Sequence, residues 1–185
     1  INTVSPDIFL IQEHWLTPAN LVKFNDNFKD FCGFGISALN DKVESGPLVG
    51  RPYGGVMILL NNNLLSVSEC IHTAERFVIV RVADMLLVNV YLPCIGSENR
   101  EMVCNDILAE ICAWRMKYAN CSCLLGGDFN TDLDNTYRIS NIVNRFLAEN
   151  NLTRCDLLHT CDVKYTYVNE ALKQFSKIDY VTCDN

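Results

Sequence analysis

Short apolar runs separated by turn residues fill the first half of the chain and predict β-strands. The runs cover residues 7–12, 31–39, 55–60, 64–70, 76–82 and 85–92. Asn61, Asn62 and Asn63 tolerate the positive φ of tight turns, so the four runs between residues 55 and 92 are predicted to form an antiparallel meander. A polar loop with glycine and proline covers residues 40–53.

The spacing of apolar residues changes to about 3.6 residues after Ser97, and this period predicts helices. One helical face carries Val103, Ile107, Ile111, Trp114 and Tyr118, and a second carries Ile139, Ile142, Val143, Phe146 and Leu147. Apolar runs at residues 121–127, 165–168 and 177–181 predict three more strands. Strands interleaved with one-faced helices over 185 residues predict a single domain of the α/β class, built as a layered sandwich.

The balance of charge bears on the partners of the chain. The formal net charge is −7 and the sequence pI is about 4.9. Proteins that bind a DNA duplex usually carry a basic surface, so the acidity counts against tight, non-specific DNA binding by this segment alone. It does not count against a cation site, which requires carboxylates.

The chain has ten cysteines, several of them inside apolar runs, where a free thiol packs as a small hydrophobe. Cys121 and Cys123 form a C-x-C pair without a matching cluster of zinc ligands, and the sequence has no C-x-x-C pair. These features predict reduced thiols in an intracellular protein. No apolar run approaches the roughly 20 residues needed to span a bilayer, so no membrane partner is predicted.

Three carboxylates stand at or near the ends of apolar strands. Glu13 follows the first run, Asp128 follows two glycines at the end of another, and Asp179 lies between Ile178 and Tyr180. Carboxylates at strand ends gather easily at one edge of a sheet, where they bind a hard cation such as Mg²⁺. The alternative is that each carboxylate caps a turn.

The sequence from Gly126 to Asn130, Gly-Gly-Asp-Phe-Asn, is more specific. The glycines allow a sharp exit from the strand and a close approach to a ligand. Asp128 and Asn130 then fall on the same side of an extended segment, where they suit a site that orients a water molecule and holds a phosphate oxygen. An Asx-rich turn also explains an Asp and an Asn at this spacing.

Taken together, motifs along nearly the whole chain resemble, in the same order, those of the endonuclease/exonuclease/phosphatase superfamily. The motifs are Gln12-Glu13-His14-Trp15-Leu16, Gly54-Gly55-Val56, Val90-Tyr91-Leu92-Pro93, Gly127-Asp128-Phe129-Asn130 and Lys177-Ile178-Asp179-Tyr180-Val181. The first and fourth are most similar to endonuclease domains of non-LTR retrotransposons. The resemblance implies a four-layered α/β sandwich in which two sheets are flanked by helices.

The resemblance also implies a role for each matching residue. Glu13 would bind the catalytic Mg²⁺, for which Mn²⁺ could substitute. Tyr91 would contact the scissile phosphate through its hydroxyl, and Asn130 would hold a phosphate oxygen. Asp128 would orient or deprotonate the attacking water, and Asp179 would orient a histidine.

The chain departs from the superfamily pattern at both ends. No Asn-bearing strand precedes Glu13, and the sequence stops where a Ser-Asp-His segment should begin. Residues 1–185 are therefore predicted to form a partial domain, inactive alone, of a parent protein that is a Mg²⁺-dependent endonuclease. His14 is predicted to lie at the surface or to support Glu13, and Trp114 and Tyr118 to pack in the core.

The resulting hypothesis is a phosphodiesterase that nicks target DNA in the nucleus for retrotransposition, with a reverse-transcriptase domain in the same polypeptide. One alternative is a phosphatase or a phospholipid phosphodiesterase of the same superfamily. Another is a non-catalytic relic that serves as a binding module. The basic loop residues Arg51, Lys164 and Lys173 either contact a nucleic-acid backbone or are simply solvated. The DNA target sequence and the oligomeric state stay open.

Overall fold

A computed structural model describes residues 5–40, 43, 46, 53–158 and 162–184. The chain forms two compact units. Unit 1 comprises Ile1–Ala83 with Leu87–Asn89, and unit 2 comprises Asp84–Leu86 with Val90–Asn185.

Unit 1 contains β1 (Ile8–Gln12), α1 (Pro18–Asn27), β2 (Phe31–Ile36), β3 (Val56–Asn61), β4 (Ser68–Ala74) and β5 (Phe77–Val82). Strand β6 (Met85–Tyr91) has residues in both units. Unit 2 contains α2 (Arg100–Lys117), β7 (Ser122–Asp128), α3 (Arg138–Glu149), β8 (Leu152–Arg154), β9 (Tyr167–Asn169), β10 (Gln174–Ser176) and β11 (Asp179–Asp184). The mixture of strands and one-faced helices confirms the predicted α/β class.

Strand β3 is the centre of a three-stranded sheet in unit 1, with β1 and β2 antiparallel on either side. Its residues from Val56 to Leu60 are buried on both faces. The predicted meander is therefore wrong for this strand, because β3 and β4 belong to different sheets. The antiparallel pairing of β4 with β5 is confirmed.

The three asparagines at the end of β3 and directly after it, Asn61, Asn62 and Asn63, do not form a tight hairpin. The side chain of Asn61 accepts a hydrogen bond from the Asn63 backbone N–H at 3.0 Å and starts a 3-10 helix, Asn62–Val67. Strand β4 consequently begins at Ser68, four residues later than predicted. The local hydrogen bond of an Asx turn accounts for the difference, because it competes with continuation of the strand.

A buried amide fixes the end of β1 within unit 1. Asn89, which is fully buried, donates to the backbone oxygens of Ile11 at 2.9 Å and Met57 at 2.8 Å. The side-chain nitrogen of Gln12 donates in turn to the Asn89 side-chain oxygen. Buried polar groups are stable only when they are hydrogen-bonded, so this set of contacts holds β1 up to the residue before Glu13.

In unit 2 the strand order is β6-β7-β11-β8. Backbone hydrogen bonds join β6 and β7 at both ends. Near their first residues, the Ser122 N–H donates to the Asp84 oxygen at 2.9 Å, and near their last residues, the Leu92 N–H donates to the Asp128 oxygen at 2.9 Å. These strands are therefore parallel, as expected for a connection through a helix such as α2. Because β11 pairs antiparallel with both β7 and β8, the sheet is mixed.

Both long helices of unit 2 bury one face. The buried residues of α2 are Cys104, Ile107, Leu108 and Ile111, and those of α3 are Ile139, Ser140, Val143, Phe146 and Leu147. Burial raises the pKa of the Cys104 thiol to about 11, in keeping with a cysteine that packs as a hydrophobe. Trp114 and Tyr118 are only half-buried, with Lys117 over the Trp114 ring at 4.6 Å, so the predicted core contacts are partial. Among the described helices, none is both long and apolar enough to cross a membrane.

Candidate active site

Tyr91, Asp128 and Asp179 lie at one edge of the sheet in unit 2. Tyr91 and Asp128 are the last residues of the parallel strands β6 and β7, whose ends are joined by the bond from Leu92 to Asp128. Asp179 is the first residue of β11 and the register partner of Asp128. Asn130 follows two residues after Asp128. The structure thus brings together four of the five residues to which the sequence assigns a role.

The chain turns sharply after Asp128. Its carboxylate accepts a hydrogen bond from the Asn130 backbone N–H at 2.7 Å, and Asn130 has a φ of 50°. The side-chain amide of Asn130 donates to the Leu92 oxygen at 2.8 Å. The predicted extended segment is therefore wrong, and the Asx turn describes the geometry. The turn holds the Asp128 carboxylate against the Asn130 backbone and the Asn130 carboxamide against the Leu92 oxygen.

Gly127 is predicted to allow a close approach to a ligand, but in the structure it allows a close approach to a neighbouring strand. Its φ is 138°, and a Cβ at this position would lie 2.0 Å from the Val90 backbone oxygen. The glycine is required because β7 packs directly against the backbone of β6 at this point. It therefore sets the spacing of the two strands that carry Tyr91 and Asp128.

The sequence interpretation missed Thr166, which holds the start of β11. Its hydroxyl oxygen accepts hydrogen bonds from the backbone N–H groups of Ile178 at 3.0 Å and Asp179 at 3.1 Å. Burial raises the pKa of the Asp179 carboxyl, and a hydrogen bond with the Thr166 side chain partly offsets the increase. Thr166 lies in a run that reads as an ordinary strand, so only the fold reveals its contact with Asp179.

An ion network supports the same strand. The Arg154 guanidinium, 9% exposed, donates to Asp134 at 2.7 Å and to Asp156 at 2.6 Å, and Lys177 also contacts Asp156. Burial alone would raise the pKa of Asp156, but hydrogen bonds from Arg154 and Lys177 outweigh burial and lower it. The network holds the side chain of Lys177, two residues before Asp179.

Three contacts of Tyr180 connect the loop after β7 with the start of β11. Its hydroxyl donates to the Lys177 oxygen at 2.8 Å and accepts from the Leu133 N–H at 3.0 Å. Its ring packs edge-on against Phe129, with 5.7 Å between the ring centroids. The loop after β7 and the entry to β11 are therefore joined through one buried side chain.

An aromatic hairpin, β9–β10, lies beside Asp179. Thr166 N–H donates to the Ser176 oxygen at 2.9 Å, which connects the hairpin to the residue that holds β11. The exposed fractions are 49% for Tyr165, 47% for Tyr167 and 61% for Phe175. Lys164 and Lys173 are also exposed. The surface offers exposed aromatic faces at the edge of the candidate site, with lysines as well as the acidic Asp162 and Glu170 among its exposed residues.

Glu13 belongs to unit 1, and its predicted position beside the other four residues stays a prediction. It follows β1 directly, is exposed and has a φ of 52°. Within the described residues, no group of three or more His, Cys, Asp or Glu side chains could hold a metal ion. Mg²⁺ is commonly held by one or two carboxylates together with water and substrate phosphate, so an exposed glutamate at a strand end fits it.

His14 anchors the loop that carries Glu13. Its Nδ1 accepts from the Leu16 N–H at 3.0 Å, so Nε2 bears the hydrogen and donates to the Ile36 oxygen at 3.0 Å. Burial lowers its pKa. The ring lies where a Cβ on Gly55 would stand, 2.3 Å from its Cε1 atom. His14 is thus half-buried and not a surface residue, and the backbone uses both ring nitrogens. Its predicted support of Glu13 stays a prediction.

The structure describes one of the other two histidines. His72 is in β4 of unit 1, with its ring 5.2 Å from that of Phe77. His159 lies outside the described residues, as does Arg51.

None of the protein-family models matches the sequence, and neither does any of the curated proteins. Solved structures do match. A 3'-5' exonuclease from Neisseria meningitidis shares 15% identity, with 97% of this chain and 77% of that chain covered and a TM-score of 0.66. A mannosyl-6-phosphatase from Bacteroides thetaiotaomicron shares 17%, with 96% and 71% covered and a TM-score of 0.60.

The endonuclease domain of TRAS1, a telomere-specific non-LTR retrotransposon, matches at 16% identity over 90% of this chain and 78% of that chain, with a TM-score of 0.59. Other similar structures carry the family name itself. The chain has the endonuclease/exonuclease/phosphatase fold. Identities this low establish the fold alone, and the sandwich fold implied by the sequence motifs is confirmed.

Proposed function

We propose that the protein is a metal-dependent phosphodiesterase that cleaves DNA as an endonuclease. The observation that carries the proposal is the meeting of Tyr91, Asp128, Asn130 and Asp179 at one sheet edge. Fold does not determine function, so the proposal rests on these side chains and their geometry. The similar chains include a 3'-5' exonuclease, a 3' phosphatase bound to a product DNA hairpin and a retrotransposon endonuclease domain, which is consistent with it.

Each residue has a part that its position supports. Asp128 accepts the Asn130 N–H with one carboxylate oxygen, and the other oxygen would orient the attacking water or take its proton. Asn130 and the Tyr91 hydroxyl would donate hydrogen bonds to the phosphate as its charge develops. Glu13 would hold Mg²⁺ or Mn²⁺, which supplies Lewis-acid chemistry at the phosphate when bound.

Asp179 would orient and stabilise a cationic partner, for which a histidine is the expected group. Burial raises the pKa of its carboxyl, which means that the ionised form lacks sufficient stabilisation from its surroundings. A positive charge beside it would relieve this cost. The same pairing of a carboxylate with a histidine fixes the tautomer and position of the imidazole in other hydrolytic sites.

The aromatic hairpin favours a nucleic acid over a small phosphate ester as the substrate. Exposed aromatic rings stack on bases, and nearby lysines contact the phosphate backbone. Tyr165 and Phe175 already form an edge-to-face pair with 4.9 Å between the centroids, so they present a fixed aromatic surface. We propose that the nick is made at a retrotransposon target site, in the nucleus, for a reverse transcriptase in the same polypeptide.

The decisive experiment measures nicking of supercoiled plasmid by the full-length protein with Mg²⁺. Asp128→Ala should lower the rate on the order of a hundredfold or more, as loss of a single catalytic hydrogen-bonding or proton-transfer group does. Asp106→Ala is the matched control, because Asp106 is an exposed aspartate of the same unit on α2. Equal nicking by both variants would contradict the role of Asp128, and release of phosphate from sugar or lipid phosphates without nicking would favour the alternative enzyme class.

A further inference from the structure

Arg100 joins the two loops that carry the candidate phosphate-binding residues. It is the first residue of α2 and is half-buried. Its Nε donates to the Pro93 oxygen at 2.9 Å, and its Nη2 donates to the Asn130 oxygen at 2.7 Å. One guanidinium therefore connects the loop after β6 with the turn after β7.

The local sequence gives no reason for an arginine at this position. A cation in the first turn of a helix opposes the helix dipole, whose positive end lies there. The preceding residue, Asn99, has a φ of 50° and makes no side-chain cap to the helix. A residue that is unfavourable locally but forms two specific tertiary contacts is typical of a functional region.

The contacts around Asn130 form a closed set. Arg100 holds its backbone oxygen, the carboxylate of Asp128 holds its backbone N–H, and its side-chain amide is bound to the Leu92 oxygen. Asn130 has a φ of 50°, and its backbone oxygen faces the start of α2, where it accepts the bond from Arg100. Loss of Arg100 would therefore loosen the Asn130 turn and, with it, the contact of the Asn130 carboxamide with the Leu92 oxygen.

We propose that Arg100 is a positioning residue that sets the orientation of the Asn130 carboxamide for the scissile phosphate. The proposal rests on the proposed phosphodiesterase function and adds a residue to its site. An arginine suits the purpose because its planar fork donates in two fixed directions at once, which the point charge of a lysine does not. The kcat for nicking of Arg100→Lys should therefore lie between that of the wild-type protein and that of Arg100→Met.

Steady-state nicking by the full-length protein tests the proposal. Arg100→Met should lower kcat roughly ten- to a hundredfold with a smaller change in KM, since small displacements of a catalytic group have effects of this size. Arg115→Met is the matched control, because Arg115 is a half-buried arginine in the last turn of the same helix that binds the Asn150 oxygen at 3.0 Å and Asp184 at 2.5 Å. It should lower the melting temperature with kcat unchanged.

A double variant distinguishes positioning from a general loss of structure. If Arg100 acts through Asn130, then Arg100→Met should have almost no further effect on kcat in an Asn130→Ala background. Effects that multiply, or an equal loss of kcat in Arg115→Met, would overturn the proposal.

A second measurement does not depend on activity. The side-chain amide signals of Asn130, assigned by nuclear magnetic resonance, should shift and broaden in Arg100→Met and stay in place in Arg115→Met. Unchanged Asn130 signals in Arg100→Met would overturn the proposal even if the enzyme is active. The two proposals can fail separately. If the wild-type protein cleaves no phosphodiester but the Asn130 signals still move in Arg100→Met, the proposed function is contradicted and the coupling of Arg100 to Asn130 stands.

Discussion

Asp128 and Asp179 are register partners across the antiparallel strands β7 and β11, so two carboxyl-bearing residues stand directly opposite each other. Like charges at opposite positions of an antiparallel pair destabilise the sheet. Burial adds a second cost, the desolvation of the ionised Asp179 carboxylate, and this cost raises the pKa of Asp179. A sequence that keeps an arrangement unfavourable to the fold is typical of a site selected for chemistry.

We therefore expect Asp179→Asn to raise the melting temperature at neutral pH while abolishing most of the nicking activity. The folded-state pKa of Asp179 is raised, so Asp179 contributes favourably to the stability of the folded protein at low pH, and this contribution is lost as the pH rises through that pKa. The gain in melting temperature of Asp179→Asn should consequently shrink as the pH falls toward the ordinary pKa range of an aspartate. Asp106→Asn, at an exposed position of the same unit, should show neither effect. A lower melting temperature for Asp179→Asn at neutral pH would contradict this reasoning.

Glu13→Gln should weaken Mg²⁺ binding in the full-length protein, because it replaces a charged oxygen ligand with a neutral amide of the same size. Calorimetric titration of Mg²⁺ measures the change, and unchanged affinity would argue against Glu13 as the ligand. Hard oxygen ligands also predict that Mn²⁺ supports nicking and that Zn²⁺ does so poorly. Glu75→Gln provides a control at another exposed glutamate of unit 1.

The ordered sequence motifs were sufficient to predict the residues that meet at the sheet edge of unit 2. Tyr91 and Asp128 stand at the ends of apolar runs, and parallel strands such as β6 and β7 bring their ends together. Asp179 lies inside the predicted run 177–181, and the structure makes it the first residue of β11. The α/β class followed from the change of apolar period after Ser97. These features are local in sequence, so a pattern can reveal them.

The contacts that hold the site could not be predicted in the same way. Thr166 meets Asp179 from thirteen residues away, and Arg100 meets Asn130 from thirty. Neither distance leaves a periodic signal, because the chain between them turns in ways that only packing determines. The central position of β3 escaped prediction for the same reason, since its pairing with β1 spans a long stretch of chain.

Arg154→Met should destabilise the protein by about 3–5 kcal/mol, because it leaves the nearly buried carboxylate of Asp156 with one fewer cationic partner. Arg81→Met is the contrasting variant. The Arg81–Glu69 pair at 2.8 Å is 41% and 57% exposed, so its loss should cost less than about 1 kcal/mol. Chemical denaturation measures both values, and similar losses in the two variants would contradict the importance of the buried network.

The same network gives stability a defined pH dependence. The pKa of Asp156 is lowered, as is that of Asp134, where the hydrogen bond from Arg154 is the main cause. Because these pKa values are lowered, the two aspartates stabilise the folded protein above their unfolded-state pKa. This stabilisation is lost as the pH falls through the folded-state pKa. The wild-type protein should therefore lose stability on acidification more steeply than Arg154→Met. Parallel acid profiles for the two proteins would count against this mechanism.

Phe175→Ser and Tyr167→Ser should weaken DNA binding roughly five- to a hundredfold each, which is the range for loss of one base-stacking aromatic side chain. Both side chains are exposed on the aromatic hairpin, so neither substitution opens a cavity in the core. Met116→Ser is the matched control, because Met116 is 74% exposed on α2 of the same unit and is not part of the hairpin. Fluorescence anisotropy with a labelled oligonucleotide measures affinity, and hydrolysis of a small phosphodiester by the same variants separates binding from chemistry.

If the hairpin serves DNA binding alone, hydrolysis of the small substrate should be unchanged in all three variants. Equal DNA affinity of Phe175→Ser, Tyr167→Ser and Met116→Ser would instead remove the hairpin from the DNA interface.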